Sequence, residues 1–148
     1  MIFICGFTPA VLRSDGIRKA KLIEEDLAKL KEFESVTLDK YIESIEIRLQ
    51  VERLLERIIG RILDINYHVL KEEFGFVPQD YYKSFIQLGE KGVIDTEFAE
   101  EIAVSTGLRN ALAHEYDAID DTQVYSAIKK CLSQVPKYLE IMLTKYSG

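Results

Sequence analysis

Apolar residues return at steps of three and four along most of the chain, the repeat of helices with one buried face, and no segment shows the two-residue alternation of a half-buried strand. Ile17, Leu22 (or Ala20), Leu27 and Leu30 lie among Lys and Glu with no Gly or Pro between them, which predicts a helix over 17–34. Thr37 offers an N-cap, with Asp39 in the first turn, to a second and longest helix. Its stripe is Ile42, Ile45, Leu49, Leu55, Ile58, Ile62, Ile65 and Val69, so it runs from 38 to about 73, weakened at Gly60 and ended by Gly75 and Pro78. Asp80 caps a shorter third helix carrying Tyr81, Phe85 and Leu88, which stops at Gly89 or Gly92. Asp95 or Thr96 caps a fourth that reaches about Tyr116. Gly107 inside it costs about 1 kcal/mol relative to Ala and marks a bend or a close helix approach. Asp120 and Gln123 resemble a capping box opening a last helix over about 122–145, in which Pro136 imposes a kink or a break. Five helices with short loops predict an all-α, up-and-down antiparallel bundle over 17–148, with four long helices forming the core and an apolar tail, 1–16, before it.

Composition narrows this picture. With 148 residues and 47% hydrophobic content, one domain with a proper core is expected. A net charge of −6 argues against coating nucleic acid through overall positive charge, so any RNA contact must be local. The cysteines, Cys5 and Cys131, have no paired spacing and the only histidines are His68 and His114. Neither a disulfide framework nor a zinc motif can be assembled, no metal or cofactor is expected, and a reducing cytoplasm fits best. The apolar first dozen residues lack a positive n-region and a cleavage pattern, and fall short of the roughly 20 residues of a spanning helix. They read as a packed or disordered tail or an overlong start, or else as an apolar arm that docks on a partner, with no signal peptide and no membrane anchor.

Candidate chemistry gathers at 108–116, Leu-Arg-Asn-Ala-Leu-Ala-His-Glu-Tyr, which puts a guanidinium, an amide, an imidazole and a phenol near the end of one helix. At about 100° per residue Arg109 and Tyr116 nearly eclipse, while Asn110 and His114 share a neighbouring stripe about 40° beyond Ala113. That arc is too broad for a pocket on a lone helix. Two copies facing each other across a twofold axis would close a cleft with two arginines and two histidines. There His114 would act as general acid or base and Arg109 would hold a phosphate in forked geometry, roles suited to metal-independent RNA cleavage by the ribose 2′-hydroxyl. Taken alone, an Arg, a His and a Tyr on one helix more often form an interhelical hydrogen-bond set.

A second stripe runs along the long helix, where Arg53, Arg57, Arg61, Asp64 and His68 follow at helical spacing. It is either a phosphate track leading to the cleft, with Arg57, Arg61 and His68 favoured over Arg53 as RNA-binding residues, or a solvated face balanced by Glu52 and Glu56. Tyr81, Tyr82, Phe85, Tyr125 and Tyr138 are assigned to the core rather than to base stacking.

The pattern R-x-x-x-x-H-x-Y, here Arg109, His114 and Tyr116 with Asn110 beside the arginine, resembles the signature of HepT-type HEPN toxins. Its surroundings are similar too: Gly-Val-Ile-Asp at 92–95, Asp-Ile at 64–65 followed by His68, and Tyr-Asp-x-Ile-Asp followed by Val-Tyr at 116–125. The resemblance covers roughly 17–146, leaving 1–15 without a counterpart. It implies a helical homodimer and an endoribonuclease with Arg109 and His114 catalytic and Asn110 and Tyr116 supporting. It also implies an MNT-type nucleotidyltransferase antitoxin that transfers AMP to Tyr116, adding charge that repels RNA. The alternative is a non-catalytic HEPN helical module that binds a nucleotidyltransferase or a nucleotide.

Overall fold

The computed structural model describes residues 12–114, 117 and 119–146. Among them the chain forms seven helices and no strand: α1 Ser14–Lys31, α2 Leu38–Glu43, α3 Ile45–Phe74, α4 Tyr81–Glu90, α5 Thr96–Ala103, α6 Ser105–His114 and α7 Asp121–Tyr146. The all-α bundle is as expected, but two of the expected helices are each divided by a hydroxyl-bearing residue.

The first division falls at Ser44, which adopts an extended backbone (φ −103°, ψ 105°) and accepts a hydrogen bond on its hydroxyl from the Ile47 amide. It thereby caps α3 and cuts off α2, whose own N-cap is Thr37, accepting from the Lys40 amide. The second lies at Val104. There the Ser105 and Thr106 hydroxyls donate to the carbonyls of Ile102 and Ala103 at 2.7 and 2.8 Å, competing with the backbone bonds that would carry α5 into α6. Gly107, the expected bend, is three residues past this break, and an added Cβ there would meet nothing within 4 Å.

Ion pairs and hydrogen bonds give the helix directions. Asp26 of α1 faces Arg57 and Arg61, and Lys19 faces Asp64, so α1 is antiparallel to α3. Arg48 faces Asp121 at 3.7 Å and the Tyr138 hydroxyl reaches toward the Ile62 carbonyl at 3.3 Å, so α7 runs with α3. The Leu12 amide donates to the Tyr146 carbonyl at 3.1 Å, joining the start of α1 to the end of α7. Leu12 is fully buried, so the bundle takes in residues before 17; residues 1–11 lie outside the described part.

The core is built from Ile23 and Leu30 of α1, Leu55, Ile58, Ile62 and Ile65 of α3, Phe85 and Leu88 of α4, and Val124, Tyr138 and Met142 of α7. The period of the long stripe is right, but its first members face outward: Ile42, Ile45 and Leu49 are 45%, 60% and 59% exposed, while Tyr41 and Val51 carry the buried face. Gly75, with φ of 77°, closes α3 in a left-handed conformation that an L side chain resists, and the Phe76 amide returns to the Leu70 carbonyl. Gly89 serves packing: a Cβ there would lie 2.9 Å from that of Ala99, so α4 and α5 touch through the missing side chain. Helix α7 continues through Pro136 without a break, its flanks pinned by buried Val135, Tyr138 and Leu139. None of the described helices is long and apolar enough to cross a membrane.

Candidate active site

Helix α6 buries Thr106 and Leu112 and packs on α3, which fixes the helical phase of the motif. Arg109 follows as a half-buried residue, and its guanidinium carbon lies 5.1 Å from the centre of the Tyr81 ring, within cation–π range. Tyr81 opens α4 and meets Tyr67 of α3 edge-on, with centroids 5.8 Å apart and planes at 73°. The Arg109 Nε is buried and has no hydrogen-bond acceptor among the described residues. Asn110 and His114 are exposed, with His114 the last residue of α6. The two stripes read from the sequence therefore differ in depth, one turned inward toward α4 and one outward. Tyr116 lies outside the described residues.

A buried polar chain anchors the floor of this region. The Tyr138 hydroxyl donates to the Asn66 side-chain oxygen, the Asn66 amide donates to the Ser84 hydroxyl at 3.0 Å, and that hydroxyl donates to the Tyr81 carbonyl at 2.7 Å. All three side chains are fully buried, so each link replaces a hydrogen bond otherwise lost to desolvation. The chain ties α7 through α3 to the first turn of α4, where Tyr81 holds Arg109.

The stripe on α3 joins α3 to α1. Asp26 is buried, and its Oδ2 accepts a hydrogen bond from Arg61 Nη1 at 2.7 Å. Arg57 Nε is 3.1 Å from the same oxygen but out of line for a hydrogen bond, so that contact is a charge pairing. Lys19 lies 3.5 Å from Asp64 and Arg53 pairs with Glu56, leaving two-sided charge along the seam. Arg57 and Arg61, expected as members of a phosphate track, thus share one buried carboxylate. His68, farther along α3, is exposed beside Tyr67. Sequence reasoning missed Asp26, since a single Asp among the Glu and Lys of α1 looked like surface charge.

A groove of ≈ 670 Å³ lies between α5, α6 and α7 over an α3 floor of Leu55, Ile59 and Ile62. It is lined by Gly107 and Leu108 but by none of Arg109, Asn110 or His114, so the motif does not open into it. Cys131 on its wall is buried, which pushes its thiol up to about 12 and keeps it in the protonated form. Among the described residues no group of three or more His, Cys, Asp or Glu side chains is placed to hold a metal ion.

Comparison with known proteins places this geometry. Residues 23–142, which include Arg109 and His114, match the family described as Ribonuclease HepT-like. A relative 42% identical over 121 residues, covering 82% of this chain and 82% of its own, is named tRNA nuclease HepT, from Aphanizomenon flos-aquae. The fold superposes on a crystal structure of a toxin–antitoxin with AMP-PNP at a TM-score of 0.78 and 17% identity, over 86% of this chain and 96% of that one. It superposes equally on a tri-AMPylated Shewanella oneidensis HEPN toxin in complex with an MNT antitoxin, at a TM-score of 0.77, 18% identity and the same coverage.

Proposed function

Because this chain belongs to the Ribonuclease HepT-like family, we propose that it is a metal-independent endoribonuclease toxin acting on tRNA, with Arg109 and His114 as its catalytic residues. The observation that carries this reading is Arg109 itself. It is held half-buried against Tyr81 with a buried Nε that finds no acceptor among the described residues, on a helix that turns His114 to solvent. A buried donor without a partner costs about 1–3 kcal/mol, and a phosphate oxygen entering from outside would satisfy it.

The active unit is a homodimer in which two α6 motifs face each other across a cleft. His114 removes the proton of a ribose 2′-hydroxyl, the 2′ oxygen bonds to the adjacent phosphorus, and the bond to the 5′ oxygen breaks. The departing oxygen takes a proton from the second histidine, leaving a 2′,3′-cyclic phosphate and a 5′-hydroxyl. Arg109 stabilises the charge that grows on the phosphate oxygens, and Asn110 supports the phosphate. His68, exposed beside Tyr67, remains the α3 residue assigned to meet RNA, whereas Arg57 and Arg61 are assigned to holding α1 on α3.

The partner is an MNT-type nucleotidyltransferase that moves AMP from ATP to the Tyr116 oxygen, releasing pyrophosphate. The named MNT antitoxin in the Shewanella oneidensis complex supports it. The test is incubation of tRNA with the protein in EDTA, followed by identification of the new ends. Cyclic phosphate and 5′-hydroxyl ends, lost after AMP is added to Tyr116, are expected. No cleavage would favour a non-catalytic nucleotide-binding module, and cleavage that needs an added metal would overturn the metal-independent mechanism.

A further inference from the structure

Arg109 and Tyr81 approach from different elements, and the groups behind Tyr81 are fixed. The ring is met edge-on by Tyr67 at 5.8 Å, and its backbone carbonyl accepts from Ser84, which ends the buried chain from Tyr138 through Asn66. The N-cap of the same helix is closed by Asp80, whose carboxylate accepts from the Lys83 amide at 2.8 Å. Among the described residues, an aromatic face held this rigidly has one cation in front of it, the Arg109 guanidinium, at 5.1 Å from centroid to Cζ. A guanidinium on a long flexible stem samples many rotamers in water. Holding it over a ring removes part of that freedom while the ring takes up none of its N–H donors.

We propose that Tyr81 is a positioning residue of the ribonuclease: it holds the Arg109 guanidinium over its ring so that N–H donors are kept for the scissile phosphate, and the Tyr138–Asn66–Ser84 chain holds the Tyr81 backbone. This rests on Arg109 being catalytic, as proposed for the reaction itself. Tyr81 acts through Arg109 and makes no contact with the reacting atoms. Its ring is needed and its hydroxyl is not, which separates it from a residue that binds RNA by hydrogen bonding.

Two readouts test this on the full-length protein, with tRNA as the substrate. Tyr81→Leu should lower kcat about tenfold, the size of a partly desolvated cation–π contact, with KM changed less than about twofold. Tyr81→Phe should recover most of that loss. In a ¹H–¹⁵N spectrum, the Arg109 Nε–H resonance, identified by its disappearance in Arg109→Lys, should carry an upfield ring shift that is lost in Tyr81→Leu and kept in Tyr81→Phe. Should Tyr81→Leu fail to fold, Tyr81→Met carries the same two readouts. A raised KM with unchanged kcat and an unmoved Arg109 resonance would overturn the proposal in favour of a base-stacking platform. If Arg109→Ala abolishes cleavage while Tyr81→Leu cleaves like wild type, positioning by Tyr81 fails alone. If Arg109→Ala cleaves like wild type, the catalytic assignment beneath it fails, and the proposal with it.

Discussion

Arg109 and His114 belong to one short helix yet meet opposite surroundings, the first pressed on an aromatic ring and the second open to solvent. That division is what a phosphate clamp and a proton carrier require, since one must be held still and the other must reach a substrate. The arginines of α3 have a different task. A buried Asp26 carboxylate without its two cations would be costly, and equally Arg57 and Arg61 lose their shared acceptor if Asp26 is removed. Asp26→Asn is expected to destabilise the fold by about 2 kcal/mol, below the range for fully buried pairs because both arginines keep some contact with water. Urea denaturation measures this directly. An unchanged midpoint, with tRNA affinity raised instead, would return these arginines to an RNA track. The motif residues stood out through the resemblance of R-x-x-x-x-H-x-Y to the HepT signature, since their spacing alone favours an interhelical hydrogen-bond set. What held Arg109 was not, because Tyr67 and Tyr81 come from separate helices and look like core aromatics in the sequence. One signal was present: Asn66 stands on the apolar stripe of the long helix, one turn past Ile62 and beside Ile65 and Val69, and an amide on a buried helix face must find partners.

At the scale of elements, helical periodicity placed α1, α3, α4 and α7 to within a few residues, because those stretches bury one face continuously. It missed the divisions at Ser44 and Val104. Each break depends on a hydroxyl finding a backbone group close by, which leaves the apolar repeat undisturbed on both sides. Two glycines in helix interiors make a matched test of packing against propensity. Gly89→Ala forces a methyl to within 2.9 Å of Ala99 and should destabilise by about 1–3 kcal/mol. Gly60→Ala in α3 meets nothing within 4 Å and should stabilise by about 1 kcal/mol. Thermal unfolding of the two variants reads opposite shifts if α4 and α5 meet as described, and shifts of the same sign if they do not.

At the scale of the whole molecule, the ≈ 670 Å³ groove against α6 is lined by none of Arg109, Asn110 or His114, and among the described residues no pocket of a single copy holds Arg109 and His114 together. In the proposed homodimer a second copy supplies the missing wall, and Ala113, half-buried between the two motif stripes, is the small residue that lets the copies approach. Ala113→Leu should shift the protein toward monomer in light scattering and lower cleavage about tenfold or more while leaving the melting of the monomer unchanged. Full activity in a monomeric variant would place the site within one chain. Whether this molecule cleaves RNA by histidine acid–base chemistry is decided most directly by the rate of tRNA cleavage in EDTA, compared between wild type and folded His114→Ala. Removing the imidazole should lower that rate by at least about a hundredfold; cleavage by His114→Ala at the wild-type rate would contradict the assignment.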